Sequence, residues 1–373
     1  MRALTGGLAG PMLRLLGHDD RGAVAVLVAI LLGGGVLLGM AALVVDVGQL
    51  YVERAQLQNG ADAGALAVAK TCVHGPGPCT PGAAQLYANL NSADGTSAVN
   101  LVCGSANLGA CPASTGKIYD CPPAPMPGIN YVDVHTGTLT ASGSTLLPPS
   151  FARTLLGQKN YRGSTDLACA QAEWGPPSAA SGQALTFSAC EWDQATKNGT
   201  LFAPPPPYPP NPPPQPSADR VLKLHTAAGG GCTTEPAGAD GPGLFGWTAD
   251  PNSTCTTPII NGAFGGNTGG NASLACQQVM AADQANRTVV FLPIYVSVSG
   301  SQASETYTLK GFAAFVITGY NLPGFTASDW LNAANNCKGS TKCINGYFIH
   351  VLVPKPGPIG GPDLGADTIR LAG

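Results

Sequence analysis

Twelve cysteines are the residues of this 373-residue chain with the most chemistry to offer, and all lie at or after Cys72. They are Cys72, Cys79, Cys103, Cys111, Cys121, Cys169, Cys190, Cys232, Cys255, Cys276, Cys337 and Cys343. Thiolate metal sites favour close pairs such as CxxC backed by paired histidines. No CxxC occurs, and the five histidines stand apart from one another. An even number of cysteines without ligand spacing reads as a disulfide framework in an oxidising compartment. Sequence-near pairs are the first expectation: 72–79, 103–111 or 103–121, 169–190, 232–255 and 337–343. Spacing alone leaves the connectivity open, because twelve cysteines allow on the order of ten thousand pairings.

The remaining reactive types are sparse. Asp133 and His135 sit two apart in a strand-like run, and Glu191 and Asp193 flank Trp192. Read as a strand, the second pair shares a face at a solvated edge. His350 lies within the apolar run 346–353 and reads as a core histidine. No GxSxG-type nucleophile motif accompanies any of them. The glycine-rich stretches 229–246 and 262–270 do not stand between a strand and a helix, so they do not read as phosphate cradles. No catalytic residue, cofactor-binding residue or metal ligand is assigned, and the chain is expected not to be an enzyme. The net charge of −3 has no basic run behind it, which excludes a nucleic-acid footprint.

The elements that must carry these residues begin with Ala23–Val45, an uncharged apolar run of 23 residues. As one helix it reaches about 35 Å at about 1.5 Å per residue, enough for a hydrocarbon core of about 30 Å. A signal peptide has an apolar stretch of only about 7–15 residues, so a transmembrane helix is the expectation. Arg2, Arg14 and Arg21 precede the run while Asp46 and Glu53 follow it, which keeps the N-terminus cytoplasmic. Ala25, Ala29 and Gly33, together with the Gly35–Gly39 GxxxG motif, form small-residue stripes suited to helix packing in lipid. The triplet Gly33-Gly34-Gly35 reads equally as a soft point in the helix.

Helical periodicity continues through residues 46–70, with Leu50, Leu57, Ala61, Gly64 and Val68 on one stripe. Its small residues require a partner surface that comes close. Further on, 83–89 reads as a short helix and 131–142 as a strand. A helix over 151–156 and a strand over 165–173 follow. Residues 204–216 hold ten prolines in thirteen positions, which as polyproline II is a stiff spacer of about 40 Å. Residues 221–225, 289–298, 307–318 and 346–353 read as strands of a second core.

The run from Asp20 to Lys70 resembles the N-terminal region of Flp pilus-assembly TadE/TadG-like proteins. Arg21-Gly22-Ala23, Val45-Asp46-Val47-Gly48 and Leu57-Gln58-Asn59 followed by Ala61-Asp62-Ala63 carry the likeness. The resemblance implies a membrane protein of the tight-adherence pilus apparatus and no catalytic activity. Members cut by prepilin peptidase carry Glu five residues after the cleavage-site Gly. Here Gly22 is followed at that distance by Leu27, which implies an uncut anchor. Some relatives also carry a von Willebrand A domain with an Asp-x-Ser-x-Ser metal motif, and that motif is absent.

The fold expected is α+β: a long transmembrane helix continuing outside the membrane, then a β-rich, disulfide-braced extracytoplasmic region. Its parts are a cytoplasmic segment (1–22), the span (23–45), a helical extension (46–71), a Cys-rich α+β region (72–203), the Pro-rich spacer (204–216) and a β-rich region (217–373). The expected function is a single-pass, non-catalytic structural component of pilus assembly or secretion at the cell membrane. Its expected partners are membrane lipid and, through the N-terminal helix, other pilus-assembly subunits, with no nucleic acid and no assigned small-molecule ligand. The alternative is a membrane-anchored surface module that binds wall polymers or partner proteins.

Overall fold

A glycine breaks the apolar run. In the computed structural model, which describes residues 20–74, 79–151, 153, 162–208, 212–223, 246–259, 261–267, 272–300, 305–334, 337–353 and 357–372, helix α1 (Asp20–Gly33) ends before helix α2 (Val36–His74) begins. Gly35 adopts φ +72°, a left-handed conformation that a side chain disfavours, and its N–H donates to the Leu32 carbonyl at 3.1 Å. The 14 residues of α1 reach only about 21 Å at about 1.5 Å per residue. The 39 residues of α2 are long enough, but their apolar stretch stops at Asp46, with Glu53 and Arg54 following. No helix among the described residues is long and apolar enough to cross a membrane.

The expectation of a spanning N-terminal helix is therefore corrected. With it fall the single-pass topology, the cytoplasmic N-terminus inferred from it, and the lipid and subunit partners assigned to a spanning helix. The membrane-anchored pilus component and the membrane-anchored surface module fall for the same reason. The Gly33-Gly34-Gly35 triplet is the soft point, with Gly34 and Gly35 forming a turn between the helices that hydropathy averages over.

The helical extension expected over 46–71 does exist, within α2, and its second half is a core element. Leu57, Ala61, Ala65, Val68 and Ala69 are buried. They face helix α3 (Gly82–Leu90) and a sheet of five strands in the order β1 (Ala98–Gly104), β2 (Asn130–Gly137), β3 (Leu167–Gly175), β14 (Ala366–Ala372), β13 (Val351–Leu352). Neighbours pair antiparallel except β13 with β14, which are parallel. Val132, Val134, Ala170, Ala172 and Trp174 meet the α2 stripe in one core. A Cβ at Gly64 would stand 3.3 Å from the Ala84 Cα, and one at Gly60 would stand 3.1 Å from the Ala88 Cα. The small-residue stripe thus finds its close partner in α3 of the same chain.

Polar side chains of α2 fasten it further. Asp46 accepts from the Ser150 and Phe151 N–H groups at 2.8 and 3.1 Å, and Arg54 donates to the Ile118 carbonyl at 2.8 Å. Thr136 Oγ1 donates to the Leu57 carbonyl at 2.9 Å. By contrast Gly33, Gly35 and Gly39 have nothing within 4 Å of a Cβ position, and Ala25 and Ala29 are exposed. That earlier small-residue stripe has no partner among the described residues.

After β3 the chain builds a second sheet. Strands β4 (Gly182–Gln183) and β5 (Phe187–Ser188) lead to helix α4 (Ala189–Thr196), then β6 (Arg220–Lys223), β7 (Thr256–Thr257), β8 (Ala263–Gly265) and helix α5 (Leu274–Asn286). Strands β9 (Val289–Ser299), β10 (Thr306–Leu322), β11 (Phe325–Ala327) and β12 (Cys343–Ile349) complete it. The order is β5-β9-β10-β12-β6, with β8 and β11 on β10, while β4 pairs with β7. Phe187, Trp192, Trp247, Leu292, Phe315, Ile317 and Ile344 form its core. The first sheet recovers the chain through β13 and β14, so the second lobe lies between β3 and β13 in sequence.

Two local readings change. Residues 189–196 are helix rather than strand, because Ser188 and Glu191 form a reciprocal capping box. In the Pro-rich run, Tyr208 bonds the Pro204 carbonyl at 2.6 Å and the Tyr347 hydroxyl at 2.9 Å. This part lies on the second sheet instead of standing free as an extended spacer. The expected helix at 151–156 lies almost entirely outside the described residues.

Candidate functional site: a disulfide-rimmed pocket

Strand β2 alternates, and its two faces do different work. Val132 and Val134 go to the α2 core, while Tyr131, Asp133 and His135 face the other way. The irregular segment 111–124 crosses in front of them and encloses a cavity of about 390 Å³. Cys111, Pro112, Asp120, Cys121 and Pro123 contribute to its rim.

Two disulfides hold that segment. Cys103–Cys111 closes the loop after β1, and Cys121–Cys169 ties it to β3. The register that sets His135 opposite Cys169 places Cys169 beside His135, within reach of Cys121. That tertiary placement explains why Cys121 joins Cys169 across 48 residues, rather than Cys103 joining Cys121 or Cys169 joining Cys190. Cys72–Cys79, Cys103–Cys111 and Cys337–Cys343 are the near pairs that spacing suggests. Cys255 joins Cys276 of α5 instead of Cys232, which lies outside the described residues. Cys190 is also disulfide-bonded.

Asp133 is 4% exposed, and its Oδ1 accepts from Gln171 Nε2 at 2.9 Å. Burial pushes its carboxyl up to about 6, against the pull of the Gln171 hydrogen bond. His135 is moved below its ordinary value by burial, opposed by Asp120, and its Nε2 stands 4.0 Å from Cys121 Sγ. The Cys121–His135–Cys169 and Cys103–Cys111–Asp133 groupings have metal-like compactness. Their sulfurs are spent in disulfides and cannot ligate as thiolates. The pocket therefore offers a carboxyl pushed up to about 6, an imidazole held below its ordinary value and a phenol.

The other sequence candidates are dispersed. Glu191 serves the capping box of α4, and Asp193 pairs with Lys310 at 3.4 Å. Between them Trp192 is buried and donates from Nε1 to the Leu364 carbonyl at 3.2 Å. The S-x-x-E spacing of Ser188 and Glu191 is the sequence signal that marks this helix. His350 is not inside a strand; it occupies the break between β12 and β13, with Phe202 edge-on at 4.0 Å.

A family model described as Tad, putative Flp pilus-assembly TadE/G-like, matches residues 22–71. The match covers most of α1 and α2, including residues 57–69, whose Ala- and Gly-rich face is buried against α3 and the first sheet. Comparison with curated proteins and with solved structures finds no match for the chain.

Proposed function

We propose that the chain is a non-catalytic structural protein of an oxidising compartment, in which the TadE/G-like segment is the internal spine of a rigid, disulfide-braced body. The supporting observation is the burial of the α2 stripe within residues 22–71, with Gly60 and Gly64 in near-backbone contact with α3. Such contact fixes a helix in one position. Disulfides at both edges of the pocket and between α5 and the 250–257 loop add bracing of the kind found in oxidising compartments.

Flp pilus assembly, the process in the family model's description, is the setting for the test. A strain lacking the chain is complemented with variants of it, and surface pili are counted. Asp133→Ala/His135→Ala, which removes the pocket's buried carboxyl and its imidazole, is expected to restore pili as the wild type does. Gly64→Val, which wedges α2 from α3, is expected to fail. Loss of function in a folded pocket variant, alongside full function in Gly64→Val, would overturn the reading.

A further inference from the structure

The two sheets are joined at an elbow. β12 of the second sheet ends at Ile349, β13 of the first begins at Val351, and His350 is the residue between them. Asp363 and Asp367 bracket Gly365 at the start of β14. Gly365 has φ +100°, and a Cβ there would fall 2.5 Å from the Ile349 carbonyl oxygen, so only glycine lets this backbone lie against the elbow. Val351 N–H donates to the Gly365 carbonyl at 2.9 Å, and Val353 N–H to the Asp367 carbonyl at 2.7 Å.

This arrangement sets one imidazole between two carboxylates. His350 Nε2 is 4.0 Å from Asp363 Oδ1, and Nδ1 is 4.0 Å from Asp367 Oδ2. Both separations are too long for hydrogen bonds. One ligand atom from each of the three residues lies within 4.8 Å of the others. The two 4.0 Å separations run to different ring nitrogens, so one cation would take a single nitrogen, and side-chain rotations would bring the three ligand atoms to the distances of a Zn²⁺ site, about 2.0–2.2 Å. Asp367 is 8% exposed and accepts no side-chain hydrogen bond among the described residues, although it points at the imidazole.

The surroundings hold the ligand atoms in place. The Phe202 ring fixes the imidazole plane, and Gly365 N–H donates to Asp363 Oδ1 at 3.0 Å. The Asp363 side chain is 60% exposed, so water can reach the remaining coordination positions.

We propose that His350, Asp363 and Asp367 bind a divalent transition-metal cation that pins the start of β14 to the elbow between the two sheets. The mixed imidazole and carboxylate set suits Zn²⁺ and its first-row neighbours better than a purely oxygen-seeking ion. The role is structural: the ion links the two lobes where the chain passes between them.

The full chain, stripped with a chelator, is titrated calorimetrically with Zn²⁺ and with Ca²⁺, and its melting temperature is followed in parallel. One Zn²⁺ per chain is expected to bind in the micromolar range or tighter and to raise the melting temperature, with Ca²⁺ weaker. His350→Gln, Asp367→Asn and Asp363→Asn are each expected to weaken binding about tenfold or more. Asp363→Asn changes an exposed side chain and keeps the fold even where the buried variants do not. Co²⁺ bound to the wild-type chain is expected to give a hyperfine-shifted imidazole N–H resonance. Absence of saturable Zn²⁺ binding up to about 1 mM overturns the proposal, as does binding that Asp363→Asn leaves unchanged, or bound Co²⁺ without an imidazole signal.

Discussion

Asp133→Asn isolates the burial of one carboxyl from everything else in the first lobe. The wild-type group ionises at about 6 in the folded chain, against an ordinary value of 3.8. Because the folded value is the higher one, its contribution to stability is fully present below about pH 4 and is lost as pH rises through about 6. The difference of about two pKa units corresponds to about 3 kcal/mol across that window. Asn keeps an oxygen to accept from Gln171 Nε2 and carries no charge at any pH, while its amide nitrogen can face the cavity. The variant is therefore expected to be more stable than wild type by about 2–3 kcal/mol at pH 8 and equal to it near pH 3.5. Urea or thermal unfolding of both chains at several pH values, disulfides intact, measures the difference. Asp283, raised to about 6 by burial, titrates in both chains and cancels in the subtraction. An offset that does not change with pH, or a variant less stable at pH 8, would refute the account of Asp133.

The glycines of α2 separate packing from propensity. Gly64→Val forces a branched side chain onto Ala84 and is expected to cost about 1–3 kcal/mol in the unfolding assay. Gly48→Ala has nothing within 4 Å of the new Cβ and is expected to stabilise by about 0.5–1 kcal/mol through helix propensity alone. Removing the Cys121–Cys169 bridge by double Ser substitution is expected to cost about 2–5 kcal/mol. It should also speed proteolysis within residues 111–124, read by mass spectrometry.

Side-chain periodicity made the internal stripe of α2 legible, because burial of Leu57, Ala61, Gly64 and Val68 repeats at helical spacing. The central strands were legible too, since 289–298 and 307–318 concentrate β-branched and aromatic residues. What stayed hidden depends on three-dimensional placement. The left-handed conformation of Gly35 is a property of one dihedral angle, and hydropathy is blind to it. The Cys121–Cys169 pairing follows from the β2–β3 register, which brings together residues that spacing rules keep apart. His350 read as a core residue because the apolar run continues on both sides of it, yet the strand turns there from one sheet to the other. Trp192 and its flanking carboxylates read as strand, although Ser188 and Glu191 carried the helix signal.

Strand β14 explains how two sheets become one mechanical unit. The second lobe occupies the sequence between β3 and β13, so the chain leaves the first sheet near Gly175 and returns at His350. A lobe tethered at two neighbouring points could still hinge about the line between them. β14 opposes that motion, because it pairs with β3 along five residues while its preceding residues touch β10 through Ala313 and contact Trp192 through the Leu364 carbonyl. Arg370 reinforces the pairing with two donors to Glu173 Oε2, at 2.8 and 2.6 Å, and Glu173 is buried. Charge-assisted bonds of this geometry are among the stronger polar contacts. Hinging would strip that carboxylate of its donors and open the Gly365 contact with Ile349 together. The lobes are thus expected to move as one body for as long as β14 stays in the sheet.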